Sequence, residues 1–139
     1  MGSRVPNSDL GLDSFNKQIQ DVEKQVDKLA GLLVKLKDAN EDSKSVTKAS
    51  SMKAIRKQME KDIDEVGKAA RNVKVKIKAI NKDNLANRQK RSCGKGTAVD
   101  RSRMNITNAL AKKFKELMIE FQTLRQGIDD EYREVVEKG

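Results

Sequence analysis

Apolar residues recur every three or four positions along three long runs of this 139-residue chain. This period places apolar side chains on one stripe of an α-helix and the charged side chains between them on the other faces. Such a helix must bury its stripe against another element, so the chain is constrained to a fold of long amphipathic helices. The first run is Leu12, Phe15, Ile19, Val22, Val26, Leu29, Leu33 and Leu36.

Two further runs repeat the pattern with similar spacing. The second run is Met52, Ile55, Met59, Ile63, Val66, Ala70, Val73, Ile77 and Ile80. The third run is Ile106, Leu110, Phe114, Leu117, Phe121, Leu124, Ile128, Tyr132 and Val135. Three such helices joined in sequence predict an all-α, antiparallel up-down-up three-helix bundle with left-handed twist, in which the residues of the runs form the core.

Breaks in the pattern set the expected boundaries. The first residues are small or polar without periodicity, and two glycines interrupt the apolar pattern before the third run. Asp100 or Ser102 is expected to cap the third helix. We expect a disordered leader at residues 1–8 and one three-helix domain at residues 9–139. Its helices are expected at about residues 9–43, 50–88 and 101–137, with a flexible loop at residues 89–100.

Residue usage argues against catalysis and metal binding. The chain has no His and one Cys, so it lacks the usual general base at neutral pH and the ligand sets of zinc and most transition metals. The sequence therefore predicts no enzyme, no catalytic, cofactor-binding or metal-binding residues, and no cofactor. Since no run of about 18 apolar residues and no signal peptide occurs, we expect a soluble, cytosolic chain.

Two motifs in the expected loop are weak. Gly94-Lys95-Gly96-Thr97 resembles a phosphate-binding loop, but Gln89 stands where that motif needs its first glycine, and Gly96 where it needs Ser or Thr. Cys93 lies between two basic residues and could be redox-reactive. An exposed loop thiol with no resolving partner and no base more often has no function, which is the interpretation we favour.

The excess positive charge belongs to the second helix and its ends. The chain carries a net charge of +9, and residues 48–91 alone hold fourteen basic and five acidic side chains. Such a surface suits an acidic protein segment or an anionic membrane, although a solvated helix can also be rich in Lys for solubility alone. Nucleic acid is not an expected partner, because no aromatic residues are interleaved with the basic ones.

Off-stripe apolar residues predict a binding groove. At 100° per residue, Val75 and Ile119 lie opposite the apolar stripes of the second and third helices. Isolated exposed apolar residues are common, but a groove between these helices could receive another helix. The candidate groove residues are Val75, Met118, Ile119, Lys68, Arg71 and Lys78.

Several segments have sequences that helix formation alone does not require, and they run in order through nearly the whole chain from Leu12. They include residues 41–49, 52–55, 60–67, 83–89 ("DNLANRQ"), 99–103, 120–125 and 131–137 ("EYREVVE"). Together these segments resemble the N-terminal half of plant plasma-membrane syntaxins, the family of Qa-SNAREs (t-SNAREs).

The resemblance implies a regulatory, non-enzymatic Habc domain of three helices. In this family the domain can bind its own SNARE helix between its second and third helices, and it contributes to binding regulators of the SM family. The implied role is vesicle docking and membrane fusion in exocytosis and protein transport, with other SNARE proteins as partners. The full-length, tail-anchored protein is expected at the cytoplasmic face of the plasma membrane. The alternative function is a basic helical module that binds anionic membranes or another polyanion.

Overall fold

The computed structural model describes the backbone of residues 12–138 and the side chains of residues 12–134. This part of the chain contains three helices and no strand: α1 (Leu12–Ser43), α2 (Ala49–Asn87) and α3 (Ala98–Lys138). The helices pack against one another, which confirms the predicted all-α three-helix bundle. The expected leader lies outside the described residues.

The described residues form two compact units. Unit 1 consists of residues 12–26 and 72–114, and unit 2 of residues 27–71 and 115–138. Each unit therefore contains part of all three helices, and the side chains that join neighbouring helices can be followed within each one.

Polar contacts in unit 1 fix the direction of its helices. The Gln18 amide on α1 donates to Asp83 on α2 over 3.0 Å, and the Lys76 ammonium pairs with Asp21. As the residue number rises along α1, the number of its partner falls along α2, so these two helix segments are antiparallel. Both pairs are within reach of solvent and contribute little energy, so burial of the apolar stripes holds the helices together.

Polar contacts also join neighbouring helices in unit 2. The Lys35 ammonium on α1 lies 3.2 Å from the Asp62 carboxylate on α2, and the Arg56 guanidinium on α2 lies 2.7 Å from Asp129 on α3. The Arg56 guanidinium also lies over the Tyr132 ring, 4.7 Å from its centroid. The ring and the carboxylate together hold this arginine against α3.

The predicted apolar stripes form the core along α1 and α2. From Phe15 to Leu36, every stripe residue of α1 is buried, as are six of the nine stripe residues of α2. Full burial of one such side chain stabilises the fold by about 1.5–3 kcal/mol, which makes these stripes the main source of stability. The buried members on α2 are Met52, Met59, Val66, Val73, Ile77 and Ile80.

The start of α3 departs from the predicted core. Ile106 was expected in the apolar stripe, but 41% of it is exposed, while Arg103 and Thr107 are buried. The Arg103 guanidinium lies over the Phe15 ring and donates to the Asn84 amide oxygen, and the Thr107 hydroxyl donates to a backbone carbonyl. Because their polar atoms have partners, these two side chains can be buried, and the apolar pattern alone selects the wrong residue.

The connection between α2 and α3 also differs from expectation. Thr97 caps α3, which begins at Ala98: the Thr97 hydroxyl accepts from the backbone N–H of Asp100, and the Asp100 carboxylate accepts from that of Gly96. The Arg88 guanidinium, 2.8 Å away, and the Gly96 N–H hold the pKa of Asp100 below its ordinary value. Cys93, expected to be exposed, is fully buried. The flexibility expected of this loop stays a prediction.

Candidate partner-binding surface

A cleft of about 230 Å³ opens between α2 and α3 within unit 2. Spacings of four residues place Ile63, Gly67 and Arg71 along one side of α2, and the same spacing places Phe121 and Arg125 along one side of α3. Ile63 is half-buried and Phe121 is 8% exposed, so they form an apolar floor. The cleft is lined by Ile63, Asp64, Gly67, Lys68, Arg71, Phe121 and Arg125.

The rim of this cleft is basic and lacks acidic partners. Lys68, Arg71 and Arg125 are exposed, and within the described side chains none of them forms an ion pair or a hydrogen bond. Asp64 also lines the cleft, which leaves an excess of two positive charges there. The cleft can therefore offer three free cationic side chains beside an apolar floor.

Gly67 brings the backbone of α2 to the surface of the cleft. A Cβ atom at this position would lie 3.6 Å from Nη1 of Arg71, an ordinary contact distance. No steric demand of the fold therefore requires glycine here, although glycine inside a helix costs up to about 1 kcal/mol relative to alanine. The absent side chain leaves room for another backbone to approach the cleft closely.

The predicted groove residues of unit 2 divide into two groups. Lys68 and Arg71 line the cleft, and half-buried Met118 precedes Arg125 by seven residues, which places both on the same side of α3. Ile119 is 55% exposed and precedes the buried Ile128 by nine residues, a rotation of about 180°. Ile119 therefore faces away from the core, as predicted for an off-stripe residue, and its role in binding stays a prediction.

The other two predicted groove residues belong to unit 1. Val75 is 65% exposed and precedes Asn84 by nine residues, so it lies about 180° around α2 from the side chain that bonds Thr107 of α3. Val75 thus lies on the side of α2 away from α3. Lys78 is exposed on the same helix. Neither residue lines a described cleft between α2 and α3, and their part in binding stays a prediction.

Five residues that line the cleft were not among the predicted groove residues. Ile63 and Phe121 had been assigned to the core, and Asp64, Gly67 and Arg125 had not been singled out. The sequence does contain a signal for part of this set, because Phe121 and Arg125 are one helical turn apart on α3. No pattern within one helix, however, shows which side of α2 meets which side of α3.

A second cleft in unit 2 lies near the end of α1 and is more apolar. Its floor includes Met52, Met59 and Ile128, and its rim includes Lys44 and Glu131. A hydrogen bond to Glu41, together with the charges of Glu131 and Glu41, raises the pKa of Lys44. The cations at this cleft are thus already paired with the protein's own carboxylates.

Neither a membrane span nor a metal centre is found among the described residues. None of the three helices has a segment long and apolar enough to cross a bilayer. In the same part of the chain, no three acidic or cysteine side chains are grouped so that they could hold a metal ion.

The sequence matches the family model described as Syntaxin over residues 9–138. This chain belongs to the syntaxin family. The match covers all three helices and confirms the resemblance seen in the sequence segments. Syntaxin-132 of Arabidopsis thaliana is 55% identical over 130 residues, which cover 94% of this chain and 43% of the relative.

Other plant syntaxins show the same coverage. Putative syntaxin-131 of Arabidopsis thaliana is 54% identical over 132 residues, 95% of this chain and 43% of the relative. The syntaxin-related protein KNOLLE of the same plant is 35% identical over 136 residues, 98% of this chain and 43% of the relative. The chain thus spans less than half the length of the curated syntaxins it matches.

Proposed function

We propose that this chain is the regulatory, N-terminal Habc domain of a plant plasma-membrane syntaxin, a t-SNARE in vesicle docking and membrane fusion. The observation that supports this role is the syntaxin match across residues 9–138. The proposed role is non-enzymatic. Its partners are its own SNARE helix, other SNARE proteins and regulators of the SM family, and it acts at the cytoplasmic face of the plasma membrane.

The proposed mechanism is a binding switch. An amphipathic SNARE helix that lies along α2 and α3 is unable to enter a fusion complex, and its release makes it available. Such a switch works when the bound and released states differ by only a few kcal/mol. Support for this surface comes from the cleft of unit 2, which combines an apolar floor with Lys68 and Arg71 on its rim.

An NMR titration tests the switch. The ¹⁵N-labelled chain is titrated with the SNARE helix of its own full-length protein, supplied as a peptide, at about 0.1 M and about 1 M salt. The Debye length falls from about 10 Å to about 3 Å between these conditions, so purely ionic adsorption is screened. We expect saturable shifts at Gly67 and Arg71 that persist at the higher salt.

Paired variants show which surface the helix uses. Ile63→Asp with Phe121→Ser places polar groups in the cleft floor, whereas Val75→Asp with Ile119→Asp changes the two exposed off-stripe residues. Weaker binding by the first pair supports the cleft, provided that circular dichroism shows an intact fold. Weaker binding by the second pair alone moves the site to the outer faces. If the unmodified chain shows no shifts at either salt concentration, the proposed switch is contradicted.

The second candidate function is binding to anionic membranes through the basic α2. It is favoured by the fourteen basic and five acidic side chains in residues 48–91. Adsorption of this kind depends on ionic attraction, to which each lysine or arginine near the surface contributes about 1 kcal/mol. Because salt screens this attraction, binding falls steeply with ionic strength. Co-sedimentation with phosphatidylserine vesicles at the two salt concentrations tests it. Binding lost at about 1 M salt supports this function, and absence of binding at low salt excludes it.

A further inference from the structure

The cleft of unit 2 brings together three cations that have no acidic partner. Lys68, Arg71 and Arg125 line it, and none of them has a described ionic or hydrogen-bonding partner. Asp64 in the same cleft offsets one of these three charges, and the excess of two positive charges repels itself unless a further anion binds. Their arrangement therefore favours an acidic ligand.

The floor of the cleft limits what that ligand can be. Ile63 and Phe121 offer apolar surface, and Gly67 allows a close approach to the helix backbone. A fully hydrated polyanion would gain nothing from contact with this apolar floor. An amphipathic helix can place an apolar side chain on the floor while a neighbouring carboxylate reaches the rim.

We infer that this cleft is a carboxylate-recognition site, in which Arg71 and Arg125 bind a Glu or Asp side chain of an acidic amphipathic helix beside an apolar residue of the same helix. Guanidinium groups suit this role because their planar N–H donors can bind a carboxylate with two hydrogen bonds. Lys68 contributes a further positive charge. The inference builds on the proposed function, since it gives the chemistry by which a helix is selected at α2 and α3.

The test uses a matched pair of probes. One is a short helical peptide with a leucine stripe flanked by glutamates, and the other has glutamine at every glutamate position. NMR follows the Gly67 amide and the Nε–H signals of Arg71 and Arg125. We expect saturable shifts with the glutamate peptide and binding about tenfold weaker or more with the glutamine peptide. Equal binding of the two peptides would overturn the inference.

A pair of variants separates specific recognition from general attraction. Arg71→Gln with Arg125→Gln removes two charges from the cleft, and Lys57→Gln with Lys61→Gln removes two exposed charges of α2 that do not line it. We expect about tenfold weaker binding of the glutamate peptide in the first variant and less than about twofold in the second. Equal losses in both variants would mean general ionic attraction and would overturn the inference.

Glycine substitutions test the close approach of the partner. Gly67→Ala adds a methyl group in the cleft, and Gly31→Ala adds one where no atom lies within 4 Å. Both should increase helix stability similarly, whereas only Gly67→Ala should weaken binding of the glutamate peptide, by about fivefold. Unchanged affinity in Gly67→Ala would overturn the role assigned to the close approach.

Two further titrations distinguish the outcomes. The first asks whether inositol hexakisphosphate displaces the glutamate peptide, and it is read together with whether Lys57→Gln/Lys61→Gln weakens peptide binding as much as Arg71→Gln/Arg125→Gln does. If both results are found, the surface binds polyanions generally and the inference fails. The SNARE-helix peptide tests the proposed function separately. If that peptide binds the unmodified chain and Arg71→Gln/Arg125→Gln alike, the inference fails and the switch stands. If only the glutamate peptide binds, the carboxylate site stands and the switch fails.

Discussion

Unit 1 connects its buried polar side chains to one another, whereas unit 2 leaves buried polar atoms without partners. In unit 1 the Asn84 amide donates to the Thr107 hydroxyl over 2.9 Å and accepts from the Arg103 guanidinium over 3.0 Å. In unit 2, Oδ2 of the buried Asp62 and Nη1 of Arg56 have no hydrogen-bond partner among the described residues. The comparison is one of degree, since Nδ2 of Asn87 in unit 1 is also unpartnered.

The difference shows two uses of polar residues in one bundle. A network in which most members are satisfied fixes a single packing, because any other register would leave donors unpaired. Unpartnered buried atoms reduce stability instead, and two of the three among the described residues belong to unit 2. Unit 1 therefore gains more of its structural specificity from paired polar side chains than unit 2 does.

The largest expected effect comes from breaking the network of unit 1. Asn84→Ala removes the acceptor of the Arg103 guanidinium and the donor to Thr107, and it should lower the free energy of unfolding by about 2–3 kcal/mol. Urea denaturation measures this change. Asn81→Ala on the same helix is the control, with an expected change within about 0.5 kcal/mol. Similar losses in both variants would show that the network adds no stability.

Removal of the buried carboxylate of unit 2 is expected to increase stability, not to lower it. Asp62 is 1% exposed, and its ion-pair partner Lys35 has a side chain that is 57% exposed. Asp62→Leu removes a poorly satisfied buried charge while Lys35 remains hydrated, so stability should rise by about 1 kcal/mol in urea denaturation. Asp64→Leu, at an exposed position of the same helix, should change it by less than about 0.5 kcal/mol. A clear loss of stability in Asp62→Leu would contradict the comparison.

The loop of unit 1 should respond to pH. The hydrogen bond from Arg88 and that from the Gly96 N–H lower the pKa of Asp100 below its ordinary value of 3.8. A lowered pKa stabilises the fold above that ordinary value, and the stabilisation is lost as the pH falls through the folded-state pKa. The difference in Tm between the unmodified chain and Asp100→Asn should therefore be largest near neutral pH and shrink in acid.

Arg88→Gln is the matched variant for this pH dependence. It removes the first partner of Asp100 and keeps the carboxylate, so it should reduce the same pH-dependent part of the stability. A difference in Tm between the unmodified chain and Asp100→Asn that stays constant from neutral pH into acid would show that the Arg88 contact does not stabilise the ionised carboxylate.

The smallest expected effects come from two glycines. Gly31→Ala in unit 2 adds a methyl group in open space and should raise stability by about 0.5–1 kcal/mol. Gly96→Ala in unit 1 should lower it by about 1 kcal/mol, because Gly96 has φ +86° and alanine strains that conformation. Thermal unfolding of both variants measures these shifts. Stabilisation by Gly96→Ala would show that the α3 cap tolerates other backbone conformations.

The sequence predicted most of the fold because apolar spacing is a property of each helix by itself. The stripe of α1 is buried from Phe15 to Leu36, and the stripe of α2 supplies most of the buried residues of that helix. The apolar spacing predicted the wrong exposure for Ile106, and the assignment to a loop predicted the wrong exposure for Cys93. Near Ile106 the buried positions belong to Arg103 and Thr107, whose polar atoms have partners that a count of apolar residues leaves out. Cys93 lies in a segment without apolar periodicity, so spacing gave no information about its burial.

The candidate site was predicted only in part, and the reason is geometric. Charge counting identified α2 and named Lys68 and Arg71, and both line the cleft. Charge counting did not pair them with Arg125, because one helix by itself does not show which side of its neighbour it meets. The helical positions gave most weight to the off-stripe residues Val75 and Ile119.

The sequence by itself determined that three amphipathic helices form, about how long they are, which stripes of α1 and α2 are buried, and that the positive charge lies on α2. The tertiary structure decided which polar side chains are buried and which cations remain without partners. These outcomes depend on the rotation of one helix against its neighbours. Only when that rotation is known does it become visible that Gly67 and Arg125, far apart in the sequence, line the same cleft.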